Sequence, residues 1–356
     1  MKKNILITGA SGFIGSFLVE DALQRGYRVF AGVRSSSSRE YLQHPDISFV
    51  ETDILNRHKL EEMLLQSADK HGPFDYIVHT AGLTKTMDHF AYTRVNFGGT
   101  QNLVEALQNT RLVPEKFIYI SSLASFGPGG NDHKPIDPDT PQHPVTAYGK
   151  SKLLAEQFLY RHESFPFLII NPTTVYGPRD KDFFFLIQSI RKGVELYIGN
   201  RGQLLSFVHV QDLVNAIMTA MESDLLHKKL IVSDLLNYTA AEMNGTLKKI
   251  LQQKTFSLVV PAWMADIVAV VSEYAGNRKG KVPLVNRERL KEFKAANWSV
   301  DASLTAALGY RPMYGLEEGL RNTIRWYHDN GWLKKTGYQS ANPTIVTENC
   351  CKADTV

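Results

Sequence analysis

Three residues have the types and spacing to move a proton. Tyr148 and Lys152 stand four apart in "TAYGKSK", where a helix is expected to begin, so they share one helix face. Ser122 closes the apolar run "KFIYISS", 26 residues before Tyr148. A phenol with a pKa of about 10 is a poor base at neutral pH. A neighbouring ammonium favours the phenolate and lowers that pKa toward the working range. A serine hydroxyl can orient the oxygen that gives or takes the proton. Taken alone, these residues are also compatible with an exposed helical turn and ordinary turn chemistry.

The elements around them give the spacing a context. "NILITG" (4–9), "RVFAGV" (28–33), "ISFVETD" (47–53), "DYIVHTAG" (75–82), "KFIYISS" (116–122) and "PFLIINP" (166–172) read as buried strands. Helical stretches such as "SFLVEDALQRG" and "TQNLVEALQNT" lie between them. Alternation of this kind predicts crossover connections and a parallel sheet. The expected fold class is α/β, a Rossmann-type doubly wound parallel sheet with a smaller, mainly helical C-terminal domain. The expected boundaries are 1–175 for the sheet domain, with 205–235 returning to it, and 176–204 with 236–333 for the substrate domain. Residues 334–356 are polar and aperiodic and read as a disordered tail carrying Cys350 and Cys351.

At residues 8–15, "TGASGFIG" places Gly9, Gly12 and Gly15 between the first strand and first helix. That context suits a tight turn, close backbone approach to a pyrophosphate, and a helix N-terminus aimed at phosphate. The second strand ends in Val33 and Arg34, followed by four serines, where an NAD site would carry an acid. An arginine there suits a ribose 2′-phosphate, so NADP(H) is the preferred cofactor and NAD(H) remains allowed. Asp53, at the end of the third strand, either accepts from an adenine amino group or caps the next helix.

Together these motifs, with "VHTAG", "VNFGGTQNL", "NPTTVYGP" and "SFVHVQDL", make residues 3–333 resemble the extended short-chain dehydrogenase/reductases, also called the NAD-dependent epimerase/dehydratase family. The pattern is closest to its dihydroflavonol reductase and 3β-hydroxysteroid dehydrogenase-like branch. The resemblance implies that Ser122 holds the substrate oxygen, that Tyr148 is the general acid/base, and that Lys152 binds the nicotinamide ribose and tunes Tyr148. It implies cofactor contacts from Gly9, Ser11, Gly12, Phe13, Ile14 and Gly15, and from Arg34, Asp53 and Ile54. His79, Ala81 and Gly82 would line the cofactor groove. Asn96 would lie beside it and stabilise the strand before Ser122. Pro172 and Val175 would border the nicotinamide. Thr84, Asn171, Thr173 and Phe184 would face substrate, and members often form homodimers.

Two departures bear on the reaction. Nucleotide-sugar epimerases and dehydratases of the family carry an arginine just before the "SFVHVQDL"-type strand. Here Leu204, Leu205 and Ser206 stand in that place, with Arg201 three residues earlier. The acid expected for NAD is also missing. The expected activity is therefore an NADPH-dependent ketoreductase acting on a hydrophobic, lipid-like ketone; the alternative is a nucleotide-sugar 4-epimerase or dehydratase with tightly bound NAD. The apolar stretch "FSLVVPAWMADIVAVVSEYAG" (256–276) is either a buried helix or the wall of an apolar pocket with access to a membrane surface. Phe183, Phe184 and Phe185 are consecutive, so at least one must point away from its own helix core.

Bulk properties narrow the partners. With 40 basic and 36 acidic residues and no long basic block, nucleic acid is not expected. Two adjacent cysteines cannot clip distant parts of a fold or build a cysteine zinc site, and no metal site is expected. The N-terminus lacks a sustained apolar leader and no window is long enough to span a bilayer, so a cytoplasmic or peripheral protein is expected.

Overall fold

A computed structural model describes residues 2–130, 132–279, 283 and 286–333. The expected tail, with both cysteines, lies outside these residues. All six apolar runs form strands, at Asn4–Thr8, Arg28–Val33, Ser48–Glu51, Tyr76–His79, Lys116–Ile120 and Phe167–Pro172. A seventh, Lys228–Val232, joins them. The sheet is parallel throughout. From one edge it runs Lys228–Val232, Phe167–Pro172, Lys116–Ile120, Tyr76–His79, Asn4–Thr8, Arg28–Val33, Ser48–Glu51. The chain builds outward from the first strand in one direction, then reverses at Tyr76–His79. Open α/β sheets bind ligands at the carboxyl ends of strands where this reversal occurs.

The strands are apolar runs because the sheet is covered on both faces. Ile5, Ile7, Val29 and Ile118 meet helices Phe13–Gln24 and Val210–Glu222 in one core. Leu6, Phe30, Phe117 and Ile169 meet helices Arg57–His71, Gly99–Asn109 and Ala147–Tyr160 in another. A third core joins helices Asp182–Arg191, Ala240–Leu251 and Leu316–Asp329 through Ile187, Leu247, Leu320 and Ile324.

The stretch 256–276 is not one element. Phe256–Val260 is a strand paired in parallel with Val194–Ile198, and Pro261 separates it from helix Ala262–Lys279. Proline is tolerated just before a helix but cannot hold an interior strand or helix position. Neither half is a buried helix. Among the described residues no helix is long and apolar enough to cross a membrane.

Candidate active site

Tyr148 lies in the first turn of helix Ala147–Tyr160, and Lys152 follows one turn later. Thr146 starts the helix, its Oγ1 accepting from Gly149 N–H at 3.0 Å. Gly149 is needed for a close approach: a Cβ there would stand 2.2 Å from the Ala124 carbonyl oxygen. The helix backbone therefore rests on the turn Leu123–Ser125, which Ser122 opens by accepting from Ala124 N–H at 3.2 Å. This contact brings the Ser122 and Tyr148 hydroxyls to one place.

Tyr148 is half-buried, its ring edge-on to Tyr92 at 5.9 Å. Burial pushes its phenol above the usual range, while Ser122 pulls the other way. Lys152 is buried, and its Nζ donates to the Ile120 carbonyl at 2.8 Å and lies 4.9 Å over the Tyr119 ring. Burial lowers its pKa to about 8, against the pull of Glu156. The expectation that Lys152 lowers the Tyr148 pKa is not met in this geometry. The ammonium is turned toward Ile120 and Tyr119, and desolvation dominates at the phenol. Tyr148 is thus neutral at physiological pH, a form that donates a proton.

A buried polar network supports this turn. Glu156, on the same face as Tyr148 and Lys152, is 1% exposed. It accepts from the Ser121 hydroxyl, from Asn171 Nδ2 at 2.8 Å and from Gln142 Nε2 at 2.8 Å, with Lys229 Nζ at 3.3 Å. Asn171 Nδ2 also reaches the Ser122 carbonyl at 3.2 Å and Ser125 Oγ at 3.1 Å. Asn171 is fully buried and braces the serine turn; it does not face substrate. Thr173 is buried too, its hydroxyl tied to the Val232 carbonyl at 3.2 Å. Phe184 packs on Tyr327 and Trp332, with centroids at 5.4 and 5.5 Å, so it belongs to the C-terminal core. Its neighbours divide as consecutive helical residues must: Phe183 is buried and Phe185 is 48% exposed. Thr84 is exposed, in the loop after the fourth strand.

The glycine loop has the form a pyrophosphate requires. Gly9 has φ +68°, and a Cβ there would lie 2.7 Å from Ala81 N. At Gly15 a Cβ would meet the Gly9 carbonyl oxygen at 2.3 Å. Gly12 begins helix Phe13–Gln24 with no side-chain cap and no acid in the first turn. No side chain uses its first N–H groups, which leaves them to an anion. Ser11, Phe13 and Ile14 are half-buried beside Gly12. Gly82 passes close to Lys152, where a Cβ would stand 3.5 Å from Nζ.

The neighbouring positions divide between the core and the groove. His79 is buried and bonded to Thr8 Oγ1 at 2.7 Å and Thr100 Oγ1 at 3.1 Å, so its side chain holds the core beneath the groove. Burial lowers its pKa to about 3. Asn96 is 1% exposed, and its side-chain hydrogen bonds go elsewhere than to the strand before Ser122. It accepts from Leu83 N–H at 2.6 Å and donates to the Leu83 carbonyl at 3.1 Å and Ser151 Oγ at 2.9 Å, clamping the Gly82 loop to the Tyr148 helix. Asp53 accepts from Leu55 N–H at 3.2 Å, and the following helix is capped by Asn56 instead. The Ile54 side chain is buried against Gly99. Pro172 is buried at the end of its strand, and Val175 is half-buried in the middle of strand Thr174–Tyr176. Arg34 is exposed at the end of the second strand, and its guanidinium has no hydrogen bond to a described residue.

Acids from a distant segment complete the site. On helix Arg287–Phe293, Glu288 accepts from Ala147 N–H at 2.5 Å and Glu292 from Thr146 Oγ1 at 3.1 Å. Both sit at the positive end of the Tyr148 helix, where negative charge is favoured. Arg289 binds Asp182 at 2.6 Å, and Lys85 binds the same carboxylate. Spacing alone marks Glu156, four residues beyond Lys152; nothing local marks Glu288, Glu292 or Asp182.

Residues 5–232 match the NAD dependent epimerase/dehydratase family. The chain belongs to that family. It is 30% identical over 339 residues to the UDP-glucose 4-epimerase of Vibrio cholerae, covering 91% of this chain and 95% of the relative. It is 26% identical over 337 residues to a decarboxylating sterol-4-alpha-carboxylate 3-dehydrogenase of Dictyostelium discoideum, covering 89% of this chain and 99% of the relative. Among solved structures, the UDP-glucose 4-epimerase of Thermotoga maritima with UDP-glucose superposes with a TM-score of 0.74 at 22% identity, covering 92% of this chain and 99% of that one. The protein is thus an enzyme of the extended short-chain dehydrogenase/reductase type, with a nicotinamide dinucleotide as its cofactor class.

Proposed function

We propose that this enzyme is an NADPH-dependent oxidoreductase that reduces a ketone on a hydrophobic, lipid-like substrate, such as a long-chain 3-keto chain or a sterol-like ring. The observation that carries the reading is Arg34 with Ser35 and Ser36, exposed at the end of the second strand in place of an acid. A guanidinium there pairs bidentately with a 2′-phosphate, and makes only weaker, neutral-acceptor hydrogen bonds to a bare ribose diol. Two basic groups near the site, Lys85 and Arg289, are both engaged by Asp182, which makes them weaker partners for a sugar diphosphate.

In this reading the loop Gly9–Gly15 and its helix N-terminus hold the pyrophosphate, Arg34 the 2′-phosphate, and Lys152 the nicotinamide ribose. Bound NADPH supplies the hydride. Ser122 donates a hydrogen bond to the substrate carbonyl oxygen, and neutral Tyr148 gives that oxygen its proton as the alcohol forms. Glu156 and Asn171 fix the serine turn, and Asn96 fixes the loop that flanks Lys152.

Arg34→Asp tests the assignment. A charge-assisted pair is worth about 1.5–3 kcal/mol, so the kcat/KM ratio of NADPH to NADH should fall by ~10- to 100-fold. A wild-type enzyme that prefers NADH would refute the cofactor reading. A second reading, a nucleotide-sugar 4-epimerase or dehydratase, is favoured by the 30% identity to a UDP-glucose 4-epimerase. Mass spectrometry of the small molecules released on denaturation separates the two. Retained NAD supports the second reading, and an empty site that takes up NADPH supports the first.

A further inference from the structure

The helix Ala262–Lys279 is turned inside out relative to a surface helix of a soluble protein. Trp263, Met264, Ile267, Val268, Val270, Val271 and Tyr274 are 43–65% exposed. These seven positions follow the 3.6-residue period and cover one face. The opposite face carries Ala265 and Ala269, both buried, and packs beside Leu290. Small residues face the protein and large apolar residues face away.

The preceding strand continues the pattern. Phe256 and Leu258, 71% and 44% exposed, stand opposite Val194 and Leu196, 36% and 40% exposed, on one face of their two-stranded sheet. Soluble proteins rarely expose contiguous apolar surface on this scale without a partner.

Charge identifies the partner. Residues 254–294 contain 8 Lys and Arg against 4 Asp and Glu, and with Asp182 counted as the partner of Arg289 an excess of +3 is left. The two acids on the apolar helix are both neutralised by the next helix: Asp266 by Lys294 at 2.5 Å and Glu273 by Arg287 at 2.8 Å. Arg278 lies 4.8 Å over the Tyr274 ring at the end of the exposed face. An apolar face with Trp and Tyr, a basic surround and silenced carboxylates is the composition that settles into the headgroup region of an anionic bilayer.

We infer that the exposed face of Ala262–Tyr274, with the outer face of the Phe256–Val260 sheet, is a docking surface for an anionic lipid bilayer. The surface is close to the chemistry. Helix Ala262–Lys279 packs on helix Arg287–Phe293, whose Glu288 and Glu292 hold the start of the Tyr148 helix. Docking here would bring the cleft to the membrane from which a lipid-like ketone is drawn. That last step rests on the proposed function, whereas the docking itself rests only on the surface.

The test is flotation of the full chain with vesicles of phosphatidylcholine and phosphatidylglycerol at a 7:3 ratio, or of phosphatidylcholine alone, compared with an Ile267→Glu/Val271→Glu variant. Both positions are exposed, so the variant should keep its melting temperature and its NADPH titration. The wild type should float with anionic vesicles and bind neutral ones at least tenfold less. The variant should lose at least tenfold of the anionic binding. Failure to float, or equal flotation of the variant, overturns the inference. So does a wild-type dimer in light scattering that the variant converts to monomer, which would assign the face to a second copy. Flotation needs no turnover, so a wrong substrate class would leave its result unchanged. NADPH titration checks the cofactor reading separately.

Discussion

Two apolar segments of this enzyme look alike as sequence and are used in opposite ways. Every residue of strand Lys116–Ile120 is buried, because helices cover the sheet on both sides. Segment 256–274 has a comparable density of Val, Ile and aromatic residues, yet ten of its large apolar side chains are exposed. An apolar run therefore reports that something must cover it, not what does. For the sheet the cover is the chain itself, and the result is a rigid strand end that carries Ser122. For the helix the cover comes from outside.

This contrast predicts where substitution hurts. Tyr148→Phe should give the largest effect, lowering kcat by roughly 10²–10⁴ with the affinity for NADPH unchanged. Normal turnover in that variant would remove the chemistry from the sheet region. The neighbouring phenylalanines sharpen the comparison within one helix. Phe183→Ala, in the core, should destabilise by about 3–5 kcal/mol. Phe185→Ala, half exposed, should change stability by less than about 0.5 kcal/mol. Equal losses in denaturant melts would mean that the two are covered alike. The smallest effect is a pH dependence. Only charged Lys152 can bind a ribose hydroxyl as an ammonium, and its pKa is about 8. NADPH affinity should be constant below that value and weaken above it, by up to about tenfold per pH unit. Lys152→Met should bind more weakly and lose that pH dependence. A sloping profile in the variant would move the titration to another group.

Much of the sheet was legible in the sequence. A strand buried on both faces reads as an unbroken apolar run, and all six were placed within a few residues. The glycine loop, Ser122, Tyr148 and Lys152 stand out in the sequence because each couples a residue type to an element boundary, and the structure places them at or within one turn of those boundaries. Asn171 and Thr173 were misread for the same reason that their strand was easy to find. When both faces are buried, parity along a strand does not tell the cleft from the core. His79 and Asn96 failed similarly, since closeness in sequence to the groove does not fix the direction of a side chain. The acids at the start of the Tyr148 helix come from about 140 residues further on, and only the folded chain brings them there. Pro261 was the missed local signal, because it forbids reading 256–276 as one helix.

The close packing of Gly149 on Ala124 has a consequence for how such an enzyme can change over time. The separation of the serine and tyrosine hydroxyls rests first on one backbone packed against another, with Glu156 and Asn171 bracing the serine turn from beneath. Residues of the C-terminal segments that do not reach the Tyr148 helix are then free to vary under selection for new substrates, whereas Glu288 and Glu292, which hold its first turn, are not. A lineage built on this contact can exchange what it recognises while inheriting its chemistry intact.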